Sequence, residues 1–388
     1  MDAWKIKGIV KDYDWGNRDF IPSLIGGYTG KPQAELWMGS HPSGDCMLYD
    51  GEMLSHFLSR NPDIIGKEAL KKYGELPFLF KILAIDKPLS LQCHPDKIQA
   101  MEGWQREKDR REKGEDCNYQ DDNEKAEIIA SITPISAMCG FRPFSEIVEN
   151  FAQIAPVSYE KYLSVFENNK DLFLGLYKLS DNEKKEILLE AEDNIHRSNE
   201  RSLEGDFLTE KGIFERCASE WPGDIGAIFP YILNVLHLER GEALYLEPDT
   251  LHAYVYGNGV ELMSASDNVL RGGLTRKRID LLELERIMNF KSEHISKVER
   301  ERDQFNRIVY KTPSDAFCLI ELPDGTYNIT KGQCAIMIVI DGSAIIKKGE
   351  EELLLEKGQI ALISAKMNDY MIDVDGDAFM AEVPRCNM

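Results

Sequence analysis

The sequence of 388 residues predicts a mainly β protein of jelly-roll or sandwich type, interrupted by a helical domain. Short apolar runs that end at glycine or proline turns recur before residue 145 and again from Ile228, which is typical of jelly rolls and sandwiches. Between about 145 and 217 glycine and proline become rare, and apolar residues recur at helical spacing. Two β regions therefore flank one α-helical region.

The first β region contains an apolar run at 78–85 and the stretch LSLQCHPDK at 89–97, which predict two strands joined by a turn at 86–88. Because side chains alternate along a strand, Ser90, Gln92 and His94 are expected to share one polar face, while the opposite face belongs to the core. Pro95 ends the ladder. A further strand is predicted from Lys125 to residue 130, with Lys125 and Glu127 on one face.

The middle region carries its own local signals. Ser180 and Glu183 resemble a capping box that opens a helix over 181–193. The charged stretch 98–116 is expected to be a solvated helix or loop. Strand character is expected to return at Ile228 and to continue through Leu233, and a later strand places His252 on one face with two tyrosines.

Composition limits the classes of partner. The 46 basic and 67 acidic residues give a net charge of −21, which argues against nucleic acid or an anionic membrane as partner. No apolar run approaches the ~20 residues of a membrane span, and the first residues lack the apolar segment of a signal peptide. A cytoplasmic location is therefore expected. The eight cysteines form no C-x-x-C pair and are predicted to be reduced and mostly structural.

Four polar side chains form a candidate metal site: Gln92, His94, Glu127 and His252. Two imidazoles, a carboxylate and an amide oxygen can hold a divalent cation and leave a position open for substrate. From residue types alone the alternative, hydrogen-bonded core histidines, is the commoner arrangement. His41, in the segment ELWMGSHPSG, is expected to be a loop histidine.

A second candidate site is the basic segment 271–278, which holds Arg271, Arg276, Lys277 and Arg278 beside two glycines. Such a cluster in an acidic chain suits the capture of a phosphate group, since the glycines let the backbone approach a ligand. The alternative is a solvated surface loop.

Five segments, taken together, resemble one family, the type I mannose-6-phosphate isomerases. They are ELWMGSHPSG, LSLQCHPDK, NEKAEIIASI with the following AMCGFRP, WPGDIGAIFPYILNVLHLERGEALYLEPDTLHAY, and GNGVELMSASDNVLRGGLTRKRID. They occur in the family's order and cover nearly the whole chain. The resemblance implies a cupin-type fold, with a catalytic β domain, a helical domain and a C-terminal jelly roll without metal.

The resemblance also implies roles for individual residues. One Zn²⁺ per chain would be held by Gln92, His94, Glu127 and His252. Arg271 would be the catalytic arginine, and Lys125 and Asp267 would serve in proton transfer or ring opening. Substrate would contact Ser90, Lys277 and Glu261. The chain departs from the family pattern at Glu124, Ala126 and Arg276, where the family has a histidine and two prolines.

The implied reaction interconverts mannose 6-phosphate and fructose 6-phosphate by proton transfer between C1 and C2 through an enediol. The small sugar phosphate would be the partner, and the sequence is compatible with a monomer but does not decide the oligomeric state. Two other functions compete: an Fe(II)-dependent cupin oxygenase, and a non-catalytic cupin that binds sugar phosphates. Gln92 as an extra ligand and the basic segment 271–278 speak against the oxygenase, and Lys125, Asp267 and Arg271 speak against the non-catalytic protein.

The positions of the ligands predict the domain layout. Three of them precede the helical region and His252 follows it, although all four must meet at one ion. We therefore expect a catalytic β domain over 1–144 and 218–300, a helical insertion over 145–217 that could wall the substrate cleft, and a C-terminal jelly roll over 301–388.

Overall fold

A computed structural model describes residues 1–197, 208–292 and 294–384 of the chain. Within these residues the protein is mainly β, with every strand pairing antiparallel, and a helical region lies between the two parts of the first β region. The predicted fold class is confirmed. None of the helices in the described residues is both long and apolar enough to cross a bilayer.

The strands make up two large sheets and one small hairpin. In chain order they are β1 (Ala3–Lys7), β2 (Ile9–Lys11), β3 (Glu35–Met38), β4 (Ser40–His41), β5 (Gly44–Asp45), β6 (Met47–Leu48), β7 (Phe78–Ile85), β8 (Leu91–Cys93), β9 (Glu127–Ser131), β10 (Ile135–Phe141), β11 (Leu233–Leu238), β12 (Ala243–Leu246), β13 (His252–Ser264), β14 (Leu270–Gly273), β15 (Arg300–Arg302), β16 (Ile308–Tyr310), β17 (Cys318–Ile329), β18 (Ala335–Lys348), β19 (Glu351–Glu356), β20 (Ile360–Ile363) and β21 (Tyr370–Glu382).

The helices are concentrated between β10 and β11. They are α1 (Phe20–Ile25), α2 (Leu54–Arg60), α3 (Lys67–Tyr73), α4 (Lys97–Arg106), α5 (Lys108–Glu112), α6 (Phe144–Ile154), α7 (Pro156–Ser158), α8 (Asn169–Lys178), α9 (Asp181–Arg197), α10 (Glu210–Glu220) and α11 (Leu281–Ile287). Short 3₁₀ segments occupy Pro62–Ile64 and Ile225–Tyr231, and Tyr159–Leu163 forms a π-helical turn.

The long strand β13 organises the first sheet, because it changes partners at Gly257. Its first half pairs with β8 and β10, and its second half pairs with β7 and β9. Gly257 has φ +110°, and a Cβ there would lie 2.2 Å from the carbonyl oxygen of Pro134. Only glycine suits this close approach. One strand therefore carries His252 at one end and pairs with the strand of Glu127 at the other.

The second sheet combines C-terminal strands with two strands from the start of the chain. β1 pairs with β20 and β6, so the sheet order is β15-β16-β17-β21-β18-β20-β1-β6, with β19 beside β18. One face of β7, including Phe80 and Ile82, packs in a common hydrophobic cluster with Leu362 and Phe379 of the C-terminal strands. The other face of β7 lies toward the candidate site, which explains why all eight of its residues are buried.

The helical region packs against other strands of the first sheet. Its buried residues form one cluster with Leu91 and Cys93 of β8 and with Leu270 of β14. The predicted capping box is confirmed, since the amide of Ser180 donates to Glu183 at 2.7 Å and the amide of Glu183 faces Ser180 Oγ at 3.4 Å.

One local prediction is wrong. Residues Ile225–Tyr231 form a 3₁₀ segment, and the expected strand begins only at Leu233. The side chain of Asp224 accepts the amide of Gly226 and so starts a turn, while Pro230 has no N–H to give to a ladder. The seven cysteines that the structure describes are free thiols, as expected, and Cys386 lies outside the described residues.

Candidate metal centre

Three potential metal ligands meet inside the first sheet. Nε2 of His94 lies 3.5 Å from Oε1 of Glu127, and Nε2 of His252 lies 3.5 Å from Oε2 of the same carboxylate. All three side chains are buried, and their donor atoms lie within 4.8 Å of one another. Two imidazoles and a carboxylate at this spacing are suited to a single divalent ion.

Backbone carbonyls set the tautomers of both histidines. Nδ1 of His94 lies 2.8 Å from the carbonyl oxygen of Asn268, and Nδ1 of His252 lies 2.9 Å from that of Thr250. A carbonyl only accepts, so each Nδ1 carries the proton and each Nε2 keeps its lone pair. Nε2 of His94 is buried and has no hydrogen-bond partner among the described residues. The residues therefore fit a metal, which would occupy these lone pairs.

Gln92 lies next to the histidines in the strand register. On β8 it pairs with His252 of β13 on one side and with Arg271 of β14 on the other. This register puts the side chains of Gln92 and His252 on the same face of the ladder, and Gln92 as a fourth ligand stays a prediction.

Lys125 precedes β9 and lies beside the carboxylate ligand. Its Nζ is 2.8 Å from Oε1 of Glu127. Burial raises the pKa of Glu127, but Lys125 and the two histidines outweigh this and hold it well below its ordinary value. Burial, reinforced by the charge of Lys125, lowers the pKa of His94 to about 4. The carboxylate is therefore ionised and the imidazole neutral, which are the forms that bind a metal.

A buried ion pair beside the three ligands was not predicted from the sequence. Nζ of Lys81, on β7, lies 2.9 Å from Oε2 of Glu261, on β13, and 5.3 Å from the centre of the Trp37 ring. Burial and the charge of Glu127 raise the pKa of Glu261, although Lys81 opposes this. The available signal was a lysine inside the apolar run FLFKILAI, because a fully buried lysine needs a partner.

The predicted anion-binding residues lie at the edge of the same sheet. Ser90 precedes β8, whose Leu91 pairs with Gly273 at the end of β14. Among the described residues, neither Arg271 nor Lys277 has a carboxylate within ion-pair distance. Burial alone lowers the pKa of Arg271, and the charge of Arg271 is the main cause that lowers the pKa of Lys277. Two cations that repel each other in an acidic chain suit an anionic ligand.

Asp267 occupies a more open position than the three ligands. Its side chain is 44% exposed, and its Oδ2 lies 3.4 Å from Nε2 of His41. His41 is therefore a neighbour of a predicted catalytic residue, and the expectation of an ordinary loop histidine is wrong. The sequence offered no signal for this contact, which joins segments more than 200 residues apart.

The structure shows the surroundings of the three residues that depart from the family pattern. The amide of Ala126 donates to Oγ of Ser264 at 3.0 Å, a bond that a proline could not make. Burial raises the pKa of the half-buried Glu124, with a contribution from Asp315. Arg276 is exposed on the loop that carries Lys277.

Comparison with known proteins gives consistent matches. Residues 3–144 match the family "Phosphomannose isomerase type I, catalytic domain", and residues 316–382 match "Mannose-6-phosphate isomerase, cupin domain". The chain is 34% identical over 400 residues to mannose-6-phosphate isomerase of Escherichia coli (strain K12), covering 98% of both chains. It is 30% identical over 427 residues to mannose-6-phosphate isomerase 2 of Arabidopsis thaliana, covering 99% of this chain and 93% of the relative.

Solved structures agree with these matches. A variant of phosphomannose isomerase from Salmonella typhimurium superimposes with a TM-score of 0.88 at 29% identity, covering 98% of this chain and 99% of the other. A mannose 6-phosphate isomerase bound with zinc and yttrium gives the same TM-score, identity and coverage.

Proposed function

The chain belongs to the type I phosphomannose isomerase family, and from this we propose that it interconverts mannose 6-phosphate and fructose 6-phosphate with one bound zinc ion. The observation that carries the proposal is the buried group of His94, Glu127 and His252, whose donor atoms lie within 4.8 Å of one another. Gln92, across the ladder from His252, is proposed as the fourth ligand.

The reaction moves one proton between C1 and C2 of the open-chain sugar, and negative charge develops on the oxygens of an enediolate. When bound, zinc supplies Lewis-acid stabilisation of that charge. The guanidinium of Arg271 is proposed to share the charge, which is supported by the pairing of its backbone with that of Gln92 and by the lack of a carboxylate partner among the described residues. Interactions that strengthen as charge develops accelerate the step rather than only binding the substrate.

The phosphate group would be held at the edge of the sheet by Lys277 and Ser90. The preceding strand β14 carries Arg271, so one short segment would contact both ends of the substrate. A sugar phosphate suits this layout because its phosphate is separated from the reacting carbons by the rest of the sugar chain.

A base must carry the proton between the two carbons. Lys125 and Asp267 are the candidates, and their surroundings differ. Lys125 is buried against Glu127, whereas the carboxylate of Asp267 is partly exposed at the side of the site. A positioned base contributes about 10²- to 10⁴-fold to such a step.

The test is an isomerase assay combined with metal analysis of the purified protein before and after chelation. We expect zinc near one equivalent, loss of activity on chelation and recovery when zinc is added back. Glu127→Gln should lose zinc and activity together, while Glu350→Gln, which removes an exposed carboxylate of the C-terminal region, should lose neither. Full turnover by the metal-free protein would contradict the proposal. Activity that required O₂ would instead favour the oxygenase alternative.

A further inference from the structure

His41 lies on β4, a two-residue strand that pairs with β5 to form a small hairpin. Its side chain is only 10% exposed, and its ring packs edge-on against Trp37, with 5.2 Å between the ring centres. Trp37 also contacts Lys81, the partner of Glu261. The hairpin therefore carries a partly buried imidazole to the side of the proposed active site.

The hairpin fixes the protonation of this imidazole. The backbone N–H of Ser43 donates to Nδ1 of His41 at 3.2 Å, so Nδ1 is the acceptor and the ring proton lies on Nε2. Burial lowers the pKa of His41, although the charge of Asp267 opposes this. The side chain is therefore a neutral N–H donor, and its donor atom faces Oδ2 of Asp267 at 3.4 Å. Such contacts often shorten once substrate is bound.

The backbone of Asp267 is held independently of its side chain. The amide of Asp267 donates to Oδ2 of Asp121 at 2.8 Å, and Oγ of Ser266 donates to Oδ1 of Asp121 at 2.8 Å. The next carbonyl, that of Asn268, accepts Nδ1 of His94. The chain is thus fixed relative to a proposed ligand, whereas among the described residues only His41 makes an ion-pair or hydrogen-bond contact with the carboxylate of Asp267.

We propose that His41 is a positioning residue, which orients the carboxylate of Asp267 for opening of the sugar ring before isomerisation. This inference rests on the proposed isomerase function. In the step, Asp267 accepts the proton of the hydroxyl on C1, the C1–O5 bond breaks with its electron pair going to O5, and O5 takes up the proton from Asp267. The carbonyl at C1 forms from the oxygen that lost its proton, so atoms and charges balance.

The surroundings of Asp267 favour this step over removal of the proton from carbon. The carboxylate of Asp267 is 44% exposed at the side of the site, with Nε2 of His41 at 3.4 Å. Ring opening passes a proton between two oxygens of the sugar, which a carboxylate at this open position can do. The C–H proton is left to Lys125, which lies against Glu127 inside the site.

The experiment compares His41→Leu, which removes the donor, with His41→Gln, whose amide can still donate. We expect kcat of His41→Leu to fall about 10- to 100-fold with little change in KM or zinc content, and His41→Gln to recover most of the loss. His56→Leu, which removes an exposed histidine that contacts Glu52, should behave as wild type. If the wild type is an active isomerase and His41→Leu has the same kcat, the inference about His41 is overturned while the proposed function stands.

Two further measurements separate positioning from a general structural effect. With mannose 6-phosphate deuterated at C2, slower ring opening should lower the kinetic isotope effect of His41→Leu toward 1, because the C–H step no longer limits the rate. The double variant His41→Leu/Asp267→Asn should be no slower than Asp267→Asn alone, since both changes remove one function. If His41→Leu fails to fold, Asp267→Asn alone tests the proposed ring-opening step. A wild-type rate and isotope effect in Asp267→Asn would refute that step.

Discussion

The carbonyl oxygen of Asn268 accepts the Nδ1 proton of His94 at 2.8 Å, so a residue of the loop after β13 fixes the orientation of a proposed metal ligand. The side chain of Asn268 holds this loop in place. Its Nδ2 donates to the carbonyl oxygens of Asp121 and Asn123, and its Oδ1 accepts the amide of Gln120. The loop and the ligand are therefore coupled through one buried amide.

Asn268→Ala should consequently weaken zinc binding by about 10- to 100-fold, the usual effect of removing support from a ligand. A competition titration against a chelator measures this affinity. Asn61→Ala, which removes an exposed amide bonded to the carbonyl of Phe57, is the matched control and should bind zinc as wild type does. Equal affinity in the two variants would show that the loop does not orient His94.

Substitutions of Arg271 and Lys277 should affect different kinetic constants, kcat for Arg271 and KM for Lys277. Arg271→Ala removes charge stabilisation from the transition state, so we expect kcat to fall about 10²- to 10³-fold with zinc retained. Lys277→Ala should mainly raise KM, by about tenfold, since it removes a charged contact to phosphate. Arg278→Ala removes a neighbouring charge that already pairs with Asp280, and it should change neither constant. A rise in KM for Arg278→Ala equal to that for Lys277→Ala would mean that only the overall charge matters.

The helical region and the turn that follows it also contact the segment 271–278, which carries Arg271 and Lys277. The hydroxyl of Tyr177, on α8, donates to the carbonyl oxygen of Gly272, and Oδ2 of Asp224 accepts the amide of Thr275 at 3.1 Å. Tyr177→Phe should therefore raise KM for the sugar phosphate about 3- to 10-fold, which corresponds to one lost hydrogen bond of about 1 kcal/mol. Tyr162→Phe removes a surface hydroxyl that contacts Glu186, and its kinetics should match wild type. Unchanged KM in Tyr177→Phe would limit the helical region to packing.

A pH effect on stability is expected at Asp377, on β21 of the second sheet. Burial and the charge of Glu321 raise the pKa of Asp377 to about 7, although Arg240 of the β11–β12 turn pairs with it. The ordinary value of about 3.9 applies in the unfolded chain, so the folded state holds this proton more tightly. The stabilisation is complete below pH 4 and is lost as the pH rises through 7.

Asp377→Asn should remove this dependence. Between pH 5 and pH 8 the free energy of unfolding of the wild type should fall by about 1–3 kcal/mol more than that of Asp377→Asn. Denaturant titration of both proteins at the two pH values measures this difference. Asp375→Asn changes an exposed carboxylate of the same strand and controls for the loss of a charge. Parallel pH profiles for Asp377→Asn and wild type would disprove the assignment.

The fold class could be predicted because it depends on local pattern. Alternation over 90–94 predicts one polar face for Gln92 and His94, and glycine and proline mark the strand ends. The grouping of these residues with Glu127 and His252 came from the family resemblance, since local pattern does not show which distant strands meet. The structure brings His94, Glu127 and His252 together, as the metal hypothesis requires, while the roles of Gln92, Lys125, Asp267 and Arg271 stay predictions. The domain boundaries also stay predictions, although β1 and β6 from the start of the chain belong to the sheet of the C-terminal region.

What could not be predicted depends on contacts between distant segments. The pair of Lys81 and Glu261 requires the register of β7 against β13, and the contact of His41 with Asp267 requires the placement of a short hairpin. The predicted strand start at Ile228 is wrong because the apolar residues there resemble a strand, whereas Asp224 and Pro230 favour the 3₁₀ segment Ile225–Tyr231. For the two long-range contacts the deciding interaction lies outside the window in which periodicity is visible, whereas Asp224 and Pro230 are local turn signals.

The pairing of β1 with β20 has a consequence for how the protein must be made. About 350 residues separate these neighbouring strands, so the ribosome releases β1 long before the strand it joins exists. Until then the cluster around Phe80 and Ile82 lacks the side chains of Leu362 and Phe379, and the nascent chain is vulnerable to aggregation. Removing the last hundred residues should therefore expose apolar surface on the first sheet and lower the stability of the remaining chain.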